Sequence, residues 1–188
     1  MRKILFFGDS LTAGYGLNNV SSESLPALLQ AEINREGLAY QIINAGISGE
    51  TSSGGLRRID SLLHQPIDVF VLELGINDII RGISPEYTLE NLQAIVDKVK
   101  SKYPNVKMLL LGMQIPSWVS GKVFETFNLL FRKLATENEM LLIPFLLKGV
   151  VGMTHLNLKD GFHPSAEGYK VVSETVWPEL KQLLTPAL

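Results

Sequence analysis

The sequence predicts an α/β protein in which helices cover both faces of a five-stranded parallel sheet. Short apolar runs, most of them ended by glycine, alternate with longer segments in which apolar residues recur every three or four positions. The runs have the length and composition of buried strands, and the longer segments have the period of amphipathic helices. Strands that alternate with helices form βαβ units, whose right-handed crossovers place every strand-end loop on one edge of the sheet.

The first half of the chain supplies three predicted strands and two predicted helices. The strands are residues 4–7, 40–44 and 67–74. The third is apolar except for Asp68 and Glu73, as expected for a strand that is covered on both faces. Ser21 or Ser22 is expected to cap the first helix, which ends at Gly37. The apolar stripe is Leu25, Leu28, Leu29 and Ile33 in the first helix, and Leu56, Ile59, Leu62 and Leu63 in the second.

The second half of the chain repeats the alternation. It contains predicted helices at residues 85–102, 123–138 and 164–184, and predicted strands at 106–111 and 140–143. A loop at residues 112–121, with Pro116 and Trp118, follows the fourth strand. No repeat or linker interrupts the pattern, and 188 residues are enough for one substantial core but few for two. We therefore predict a single domain over residues 1–188.

Charge and cysteine content exclude several classes of function. The chain has 17 Lys and Arg residues against 19 Asp and Glu residues, a net charge of −2, and no basic run with interleaved aromatic residues. Nucleic acid is therefore not an expected partner. Because the chain has no cysteine, disulfides, thiolate metal sites and cysteine nucleophiles are excluded.

The apolar runs are too short for a signal peptide or a membrane span. The run after Met1-Arg2-Lys3 is broken by Gly8 and Asp9 before it reaches the roughly 7 residues of a signal-peptide core. The longest runs fall far short of the roughly 18 residues that cross a bilayer. We expect a cytoplasmic protein with no integral membrane segment, or the mature part of a periplasmic or secreted protein whose leader has been removed. The sequence does not indicate an oligomeric state.

Polar residues follow several predicted strands at the edge where their loops meet. Ser10 follows the first strand, Gly46 the second and Asn77 the third. Asp160 and His163 precede the last helix and can reach the same edge. An acyl-transfer enzyme needs such a set: a nucleophile, a base, a carboxylate that orients the base, and donors for the oxyanion. Serine needs the base, because its hydroxyl is a weak nucleophile until its proton is removed.

Four motifs carry a resemblance to a known family. They are Gly8-Asp9-Ser10-Leu11-Thr12-Ala13-Gly14-Tyr15, Asn44-Ala45-Gly46-Ile47-Ser48-Gly49-Glu50-Thr51, Glu73-Leu74-Gly75-Ile76-Asn77-Asp78 followed by Arg81-Gly82, and Asp160-Gly161-Phe162-His163-Pro164. Together, and in this order, they resemble the SGNH (GDSL) hydrolases, most closely the bacterial group of thioesterases, lysophospholipases and arylesterases. The motifs run from the first strand to the last helix, so the resemblance covers almost the whole chain.

The resemblance implies a fold and a set of roles. The implied fold is the flavodoxin-like three-layer α/β/α sandwich with a five-stranded parallel sheet, in agreement with the strands counted above. Ser10 is the implied nucleophile, His163 the base and Asp160 the residue that orients it. The Ser10 and Gly46 backbone N–H groups and the Asn77 side-chain amide form the implied oxyanion hole. The resemblance implies no metal and no organic cofactor.

Two positions depart from the pattern of close relatives. Ile76 stands where they usually carry glycine or alanine, and its branched side chain can narrow the acyl entrance or stiffen its loop. Leu25 stands where tryptophan is frequent, which we interpret as a packing difference. The apolar loop at residues 113–119 favours acyl chains as substrates, with Ile115 and Trp118 as candidate lining residues beside Ile76. Packing of the loop is an equally supported role for Trp118.

Other polar residues near these motifs have a structural explanation. Asp9 and Asp78 each lie near a strand end, where a carboxylate can bind backbone N–H groups of the turn. We interpret both as structural residues rather than as rival triad acids. Glu50 is expected to order the loop after the second strand. His64 and His155 lack a carboxylate at useful spacing and are interpreted as surface or structural residues.

These observations predict a serine hydrolase that cleaves small carboxylic esters or thioesters of acyl chains through an acyl-enzyme. Two alternatives stay open on the sequence alone. An O-deacetylase of acetylated carbohydrates would use the same motifs, since substrate choice depends on loop shape. A non-catalytic nucleotide- or flavin-binding module would share the doubly wound sheet and the Gly- and Ser-rich first loop. That loop, however, lacks the lysine of a P-loop and a Gly-x-Gly-x-x-Gly pattern.

Overall fold

A five-stranded parallel sheet lies at the centre of the molecule in the computed structural model, which describes residues 1–116 and 119–185. The strands are β1 (Arg2–Gly8), β2 (Tyr40–Gly46), β3 (Val69–Glu73), β4 (Lys107–Leu111) and β5 (Leu141–Ile143). Their order across the sheet is β2-β1-β3-β4-β5. In the ladders, Gly8 pairs with Gly46 on one side and with Glu73 on the other. The carboxyl ends of three strands therefore lie side by side.

Helices cover both faces of this sheet, as the sequence predicts. They are α1 (Ser10–Ala13), α2 (Val20–Glu23), α3 (Leu25–Arg35), α4 (Ser52–Leu62), α5 (Ile76–Ile80), α6 (Pro85–Lys102), α7 (Lys122–Asn138) and α8 (Ala166–Leu184), with a short 3₁₀ turn at Thr154–Leu156. Helix α6 packs against both α4 and α7, and α3 packs against α8. The result is a three-layer α/β/α sandwich with the flavodoxin strand order.

The central strands form the core because helices cover them on both sides. Every residue of β3 is buried, including the ionisable residue Glu73. The largest fully buried side chains include Phe6 and Phe7 of β1 and Phe70 of β3, and burial of each such side chain contributes about 1.5–3 kcal/mol. Leu25 is also fully buried, in agreement with a packing role. None of the helices within the described residues has the length and apolar character that a membrane crossing requires.

Short helices at the strand ends are the main difference from the predicted elements. Helices α1 and α5 follow β1 and β3 closely, and their four and five residues are too few to leave an apolar period. The predicted first helix is divided at Ser24, whose extended backbone ends α2 and whose hydroxyl accepts the Ala27 N–H to begin α3. Helix α8 begins at Ala166 rather than at Pro164, because Ser165 caps it.

The edge strand β2 is capped by a side chain from the neighbouring helix. Gln30 of α3 donates an amide N–H to the Tyr40 carbonyl at 3.2 Å and accepts the Ile42 N–H at 2.7 Å. A side-chain amide thus occupies two backbone groups that a further strand would use.

Candidate active site

Ser10, His163 and Asp160 form a hydrogen-bonded chain at the carboxyl edge of the sheet. His163 Nε2 lies 2.9 Å from Ser10 Oγ, and His163 Nδ1 lies 2.7 Å from Asp160 Oδ2. Both distances are within hydrogen-bond range, so the imidazole can accept the serine proton while the carboxylate holds the opposite ring nitrogen. The structure thus brings together the three residues that the sequence motifs group as nucleophile, base and orienting acid.

A tight turn positions the Asp160 carboxylate. Its Oδ1 accepts the backbone N–H groups of Phe162 at 2.9 Å and His163 at 3.0 Å, while Oδ2 faces the His163 ring. Partial desolvation acts to raise the pKa of Asp160, but these N–H donors and the His163 ring lower it to about 2. The carboxylate is therefore ionised throughout the neutral pH range.

The Ser10 hydroxyl is presented by the first turn of α1. Asp9 is the N-cap of this helix, and its Oδ1 accepts the Leu11 N–H at 3.0 Å. Ser10 is only 8% exposed. The Tyr15 ring lies with its centroid 4.6 Å from that of the His163 ring and covers one side of the imidazole. The hydroxyl and the imidazole are thus partly shielded from solvent at a helix start.

The Gly46 N–H is engaged at the end of its own strand. It donates to the Asn44 side-chain oxygen at 3.0 Å. This bond must break before the Gly46 N–H can bind an oxyanion, so the role that the resemblance implies for Gly46 stays a prediction. The need for glycine here has another cause, because a Cβ at Gly46 would lie 2.2 Å from the Ala13 nitrogen of α1.

Gly49, three residues further along the same loop, offers a donor that the sequence assignment missed. Within the described part of the chain, its N–H has no acceptor. Its φ of 77° lies in the left-handed region that favours glycine. Arg81 Nη2 holds the Gly49 carbonyl at 2.6 Å and so fixes the orientation of this turn. The signal for this residue is the glycine within the polar turn Ser48-Gly49-Glu50, a composition typical of a positive φ.

An ion pair fixes the loop that carries Gly49. Arg58 Nε lies 2.7 and 2.9 Å from the two carboxylate oxygens of Glu50. Arg58 also donates to the Ala45 carbonyl at 2.8 Å, and its guanidinium carbon lies 4.0 Å from the centroid of the Phe7 ring. Glu50 therefore orders the loop after β2, which confirms the prediction for this residue.

Both N–H groups of the Asn77 side-chain amide are engaged. Nδ2 lies 2.8 Å from Asp9 Oδ2 and 3.1 Å from the Glu50 carbonyl oxygen. Asn77 is in the first turn of α5, which follows β3 directly. Asp9 therefore connects Asn77 to the turn that carries Ser10.

Asp78, His64 and His155 lie outside this hydrogen-bonded chain. The Asp78 carboxylate accepts the N–H of Ser52 at 2.8 Å and the Ser52 hydroxyl, and so joins α5 to the start of α4. This contact agrees with the structural role expected for Asp78. Among the residues that the structure describes, no hydrogen bond joins either histidine to Ser10, and no group of three or more His, Asp or Glu side chains is placed to hold a metal ion.

Two of the candidate substrate-lining residues lie in segments that follow the neighbouring strands β3 and β4. Ile76 is the first residue of α5 and Ile115 lies in the loop after β4, and both are half-buried against the core. The Asn128 side chain of α7 accepts the Ile115 N–H at 2.7 Å and donates to the Ile115 carbonyl at 2.9 Å. No sequence motif marks Asn128, because a side chain that binds a distant backbone leaves no local pattern. Trp118 lies outside the described residues.

Comparisons with known proteins identify a family and several similar proteins. The model of the GDSL-like lipase/acylhydrolase family matches residues 6–171. The chain is 38% identical over 182 residues to the esterase TesA of Pseudomonas aeruginosa, a match that covers 96% of this chain and 89% of that protein. It is 34% identical over 183 residues to thioesterase 1/protease 1/lysophospholipase L1 of Escherichia coli (strain K12), covering 96% of this chain and 84% of that protein.

A solved structure has the same fold over nearly its whole length. The crystal structure of TesA superimposes with a TM-score of 0.90 at 38% sequence identity, covering 97% of this chain and 100% of that chain. The resemblance to SGNH (GDSL) hydrolases that the sequence motifs indicate is thereby confirmed. With a family match over most of its length and relatives of this similarity, the chain belongs to the GDSL-like lipase/acylhydrolase family.

Proposed function

We propose that this protein is a serine hydrolase that cleaves carboxylic esters or thioesters of acyl chains, with Ser10 as the nucleophile, His163 as the base and Asp160 as its orienting acid. The observation that carries the proposal is the continuous chain from Ser10 Oγ to His163 Nε2 at 2.9 Å and from His163 Nδ1 to Asp160 Oδ2 at 2.7 Å. Membership of an acylhydrolase family supports this chemistry, as do relatives named esterase and thioesterase 1.

The reaction follows from this geometry. As Ser10 Oγ attacks the acyl carbonyl carbon, its proton passes to His163 Nε2 and the carbonyl π electrons move to the oxygen. The tetrahedral intermediate collapses when the bond to the leaving oxygen or sulfur breaks, and His163 gives its proton to that atom. Water, deprotonated by His163, then attacks the acyl-enzyme by the same steps, which releases the acid and restores Ser10. Asp160 stabilises the imidazolium that forms in each step.

Three donors receive the developing oxyanion. The first donor is the Ser10 N–H, which lies at a helix start and has no acceptor within the helix. The second is the Gly49 N–H, which we propose in place of the Gly46 N–H. The Asn77 amide is the third donor, and it contributes by exchanging its 3.1 Å bond to a loop carbonyl for the substrate oxygen. Its 2.8 Å bond to Asp9 stays in place and keeps the amide oriented.

The acyl chain lies between the loops that carry Ile76 and Ile115. Support comes from the sheet order, because these loops follow β3 and β4, which are neighbours in the sheet. The branched Ile76 side chain narrows this passage. We therefore expect medium acyl chains to be preferred over long ones.

Hydrolysis of p-nitrophenyl esters from acetate to palmitate, and of acyl-CoA thioesters, tests this proposal with wild-type protein and the Ser10→Ala variant side by side. We expect a maximum at medium chains for the wild type. In the variant, kcat should fall by at least about 10⁴, because no attacking hydroxyl is left. Circular dichroism checks that the variant is folded.

Each other outcome has a definite meaning. Wild-type turnover in Ser10→Ala would overturn the assignment of the nucleophile. Activity confined to acetate would support the O-deacetylase alternative, and acetylated saccharides would then be the next substrates. Absence of hydrolysis of every ester, together with thermal stabilisation by flavins or nucleotides, would support the binding-module alternative.

A further inference from the structure

A buried pair of carboxyl groups lies behind the Ser10 turn, and the reaction above makes no use of it. Glu73, the last residue of β3, is 1% exposed, and Asp9 is 0% exposed. The two residues are in contact, because the Asp9 backbone N–H donates to Glu73 Oε2 at 3.1 Å. Within the described residues, no salt bridge joins either carboxyl to lysine or arginine. Two ionised carboxylates are not stable in such contact without a cation, so one of them carries a proton.

The contacts identify Glu73 as the protonated member of the pair. Its Oε2 accepts the Thr12 hydroxyl at 2.8 Å and the Asp9 backbone N–H at 3.1 Å. Its Oε1 is buried and has no partner among the donors that the structure describes. A proton on the carboxyl group removes the negative charge that this buried oxygen would otherwise share without a donor. Burial raises the pKa of Glu73, and the neighbouring Asp9 raises it further.

Asp9 is the member whose contacts suit a carboxylate. Its Oδ1 accepts the Leu11 N–H at 3.0 Å and lies 3.5 Å from Ser10 Oγ. Its Oδ2 accepts the Asn77 amide at 2.8 Å. Burial raises the pKa of Asp9, and the donors Leu11, Glu73 and Asn77 oppose that rise. The pair therefore holds one negative charge, which these donors place on Asp9.

We propose that Glu73 is protonated at neutral pH and positions the oxyanion donor Asn77 through Asp9. The Glu73 O–H donates to Asp9 and so keeps Asp9 as a carboxylate in one orientation. That carboxylate fixes the Asn77 amide and the first turn of α1. Glu73 touches no substrate atom, so it is a positioning residue. The role of Asn77 rests on the proposed function, whereas the protonation state of Glu73 does not.

The other titratable groups that face Asp9 and Glu73 do not change the assignment of the proton to Glu73. Tyr169 of α8 donates its hydroxyl to a carbonyl of α1 at 3.0 Å, and its pKa is raised by burial and by the two carboxyl groups. His163 faces Asp9 from the loop before α8, and its imidazolium form acts to lower the pKa of Asp9. Arg58 of α4 reaches the Gly8 carbonyl at 3.4 Å, but its charge is paired with Glu50.

Thermal melting of wild-type protein and Glu73→Gln, from about pH 4.5 to about pH 8, tests the protonation state. A carboxyl group whose folded pKa is raised binds more protons in the folded than in the unfolded state, so stability falls as pH rises above the unfolded value of about 4.3. Glutamine does not titrate. We therefore expect the Tm of Glu73→Gln to rise relative to that of the wild type with increasing pH. A difference in Tm that is constant or shrinks over this range would overturn the proposal.

Activity measurements on Glu73 variants distinguish a positioning role of Glu73 from a packing role. Glu73→Gln keeps a donor for Asp9 and an acceptor for Thr12, so kcat should stay within about threefold of wild type. Glu73→Leu keeps the volume but removes the donor, and kcat should fall about 10- to 100-fold with KM within about threefold, since Asn77 acts in the transition state. Asn138→Leu removes a buried polar side chain of α7 and serves as the matched control, with kcat unchanged.

The outcomes test the positioning role of Glu73 and its protonation state separately. Equal losses of kcat in Glu73→Gln and Glu73→Leu, or an equal loss in Asn138→Leu, would overturn the positioning role. If Glu73→Leu does not fold, the melting comparison of wild type and Glu73→Gln still decides the protonation state. A wild-type protein that hydrolyses no ester would count against the proposed function and not against the protonation state, because melting needs no substrate.

Discussion

Asp160 and Asp9 both lie near Ser10, but their environments differ, and so do the roles that we propose for them. Asp160 lies on a turn at the surface, where backbone N–H groups and the His163 ring stabilise its charge. Asp9 is buried and depends on a few donors from neighbouring elements. The Asp160 carboxylate is suited to orienting the proposed base, His163. The Asp9 carboxylate is suited to orienting the Asn77 amide, a proposed oxyanion donor. Environment thus separates the roles of two chemically identical groups around Ser10.

Loss of the Asn77 amide should slow the chemical step. We expect Asn77→Ala to lower kcat by about 10²–10³ with little change in KM, because the amide stabilises charge that develops only in the transition state. Steady-state kinetics on p-nitrophenyl butyrate measure this effect. Asn105→Ala, in an exposed turn before β4, is the matched control. A loss of less than a few-fold would remove Asn77 from the oxyanion hole.

Replacement of Asp160 should change both activity and acid stability. We expect Asp160→Asn to lower kcat/KM by at least about 10², because the amide no longer holds the required tautomer of His163. The folded pKa of Asp160 is lowered to about 2, against an unfolded value of about 3.9, so its contribution to stability is complete above the unfolded value and is lost as pH falls through the folded one. Urea unfolding at a series of acidic pH values should show this loss in wild type and not in the variant.

At the scale of elements, those with a clear apolar period are predictable from the sequence. Helix α6 spans Pro85–Lys102, the bounds that its apolar positions predict. All five strands are found where apolar runs predict them, and in β1, β3 and β4 burial on both faces accounts for the continuous run. The division between α2 and α3 depends on one serine and one proline, which a count of apolar positions does not detect.

In the candidate site, too, local motifs are predictable from the sequence and contacts between distant segments are not. Ser10, Asp160 and His163 could be proposed as a group because each lies in a short motif that carries the resemblance to a known family. The bond from the Gly46 N–H to the Asn44 side chain could not be foreseen, because it depends on the orientation of that side chain. Asn128 and the proton on Glu73 depend on contacts between distant segments, which no local pattern records.

Helix α7 fixes the loop after β4 through a single side chain. We expect Asn128→Ala to cost about 1–3 kcal/mol of stability, because it leaves the Ile115 N–H and carbonyl without their partner. The looser loop should raise KM for medium-chain esters more than for acetate. Thr126→Val, at a half-buried position of the same helix, is the control. An unchanged chain-length profile in Asn128→Ala would contradict a role for Ile115 in acyl binding.

At the scale of the whole molecule, the site depends on contacts between the two ends of the chain. Ser10 and His163 are separated by 153 positions in the sequence. Helix α8 brings them together, because Tyr169 near its start donates its hydroxyl to the Leu11 carbonyl at 3.0 Å. The strand order places β1 inside the sheet, between β2 and β3, and α1 packs against β1, β2 and α3. Assembly of the triad therefore requires that the sandwich is complete.

This dependence predicts that residues 1–188 unfold as one domain. Urea titrations followed by far-ultraviolet circular dichroism, near-ultraviolet circular dichroism and esterase activity should give coincident transitions. Loss of activity at a urea concentration where the secondary structure is intact would indicate that the segment with His163 unfolds separately. Two transitions in the far-ultraviolet signal would contradict the single domain itself.

The Gln30 amide has a consequence for behaviour at high concentration. An open sheet can grow into fibres when the bare edge of one molecule captures a strand of another. On one side of this sheet, Gln30 already occupies the Tyr40 carbonyl and the Ile42 N–H. On the other side, β5 has only three residues and offers little backbone to a second molecule. Crowded solutions of this protein should therefore resist edge-to-edge polymerisation, and replacing Gln30 with an apolar residue should open the path to it.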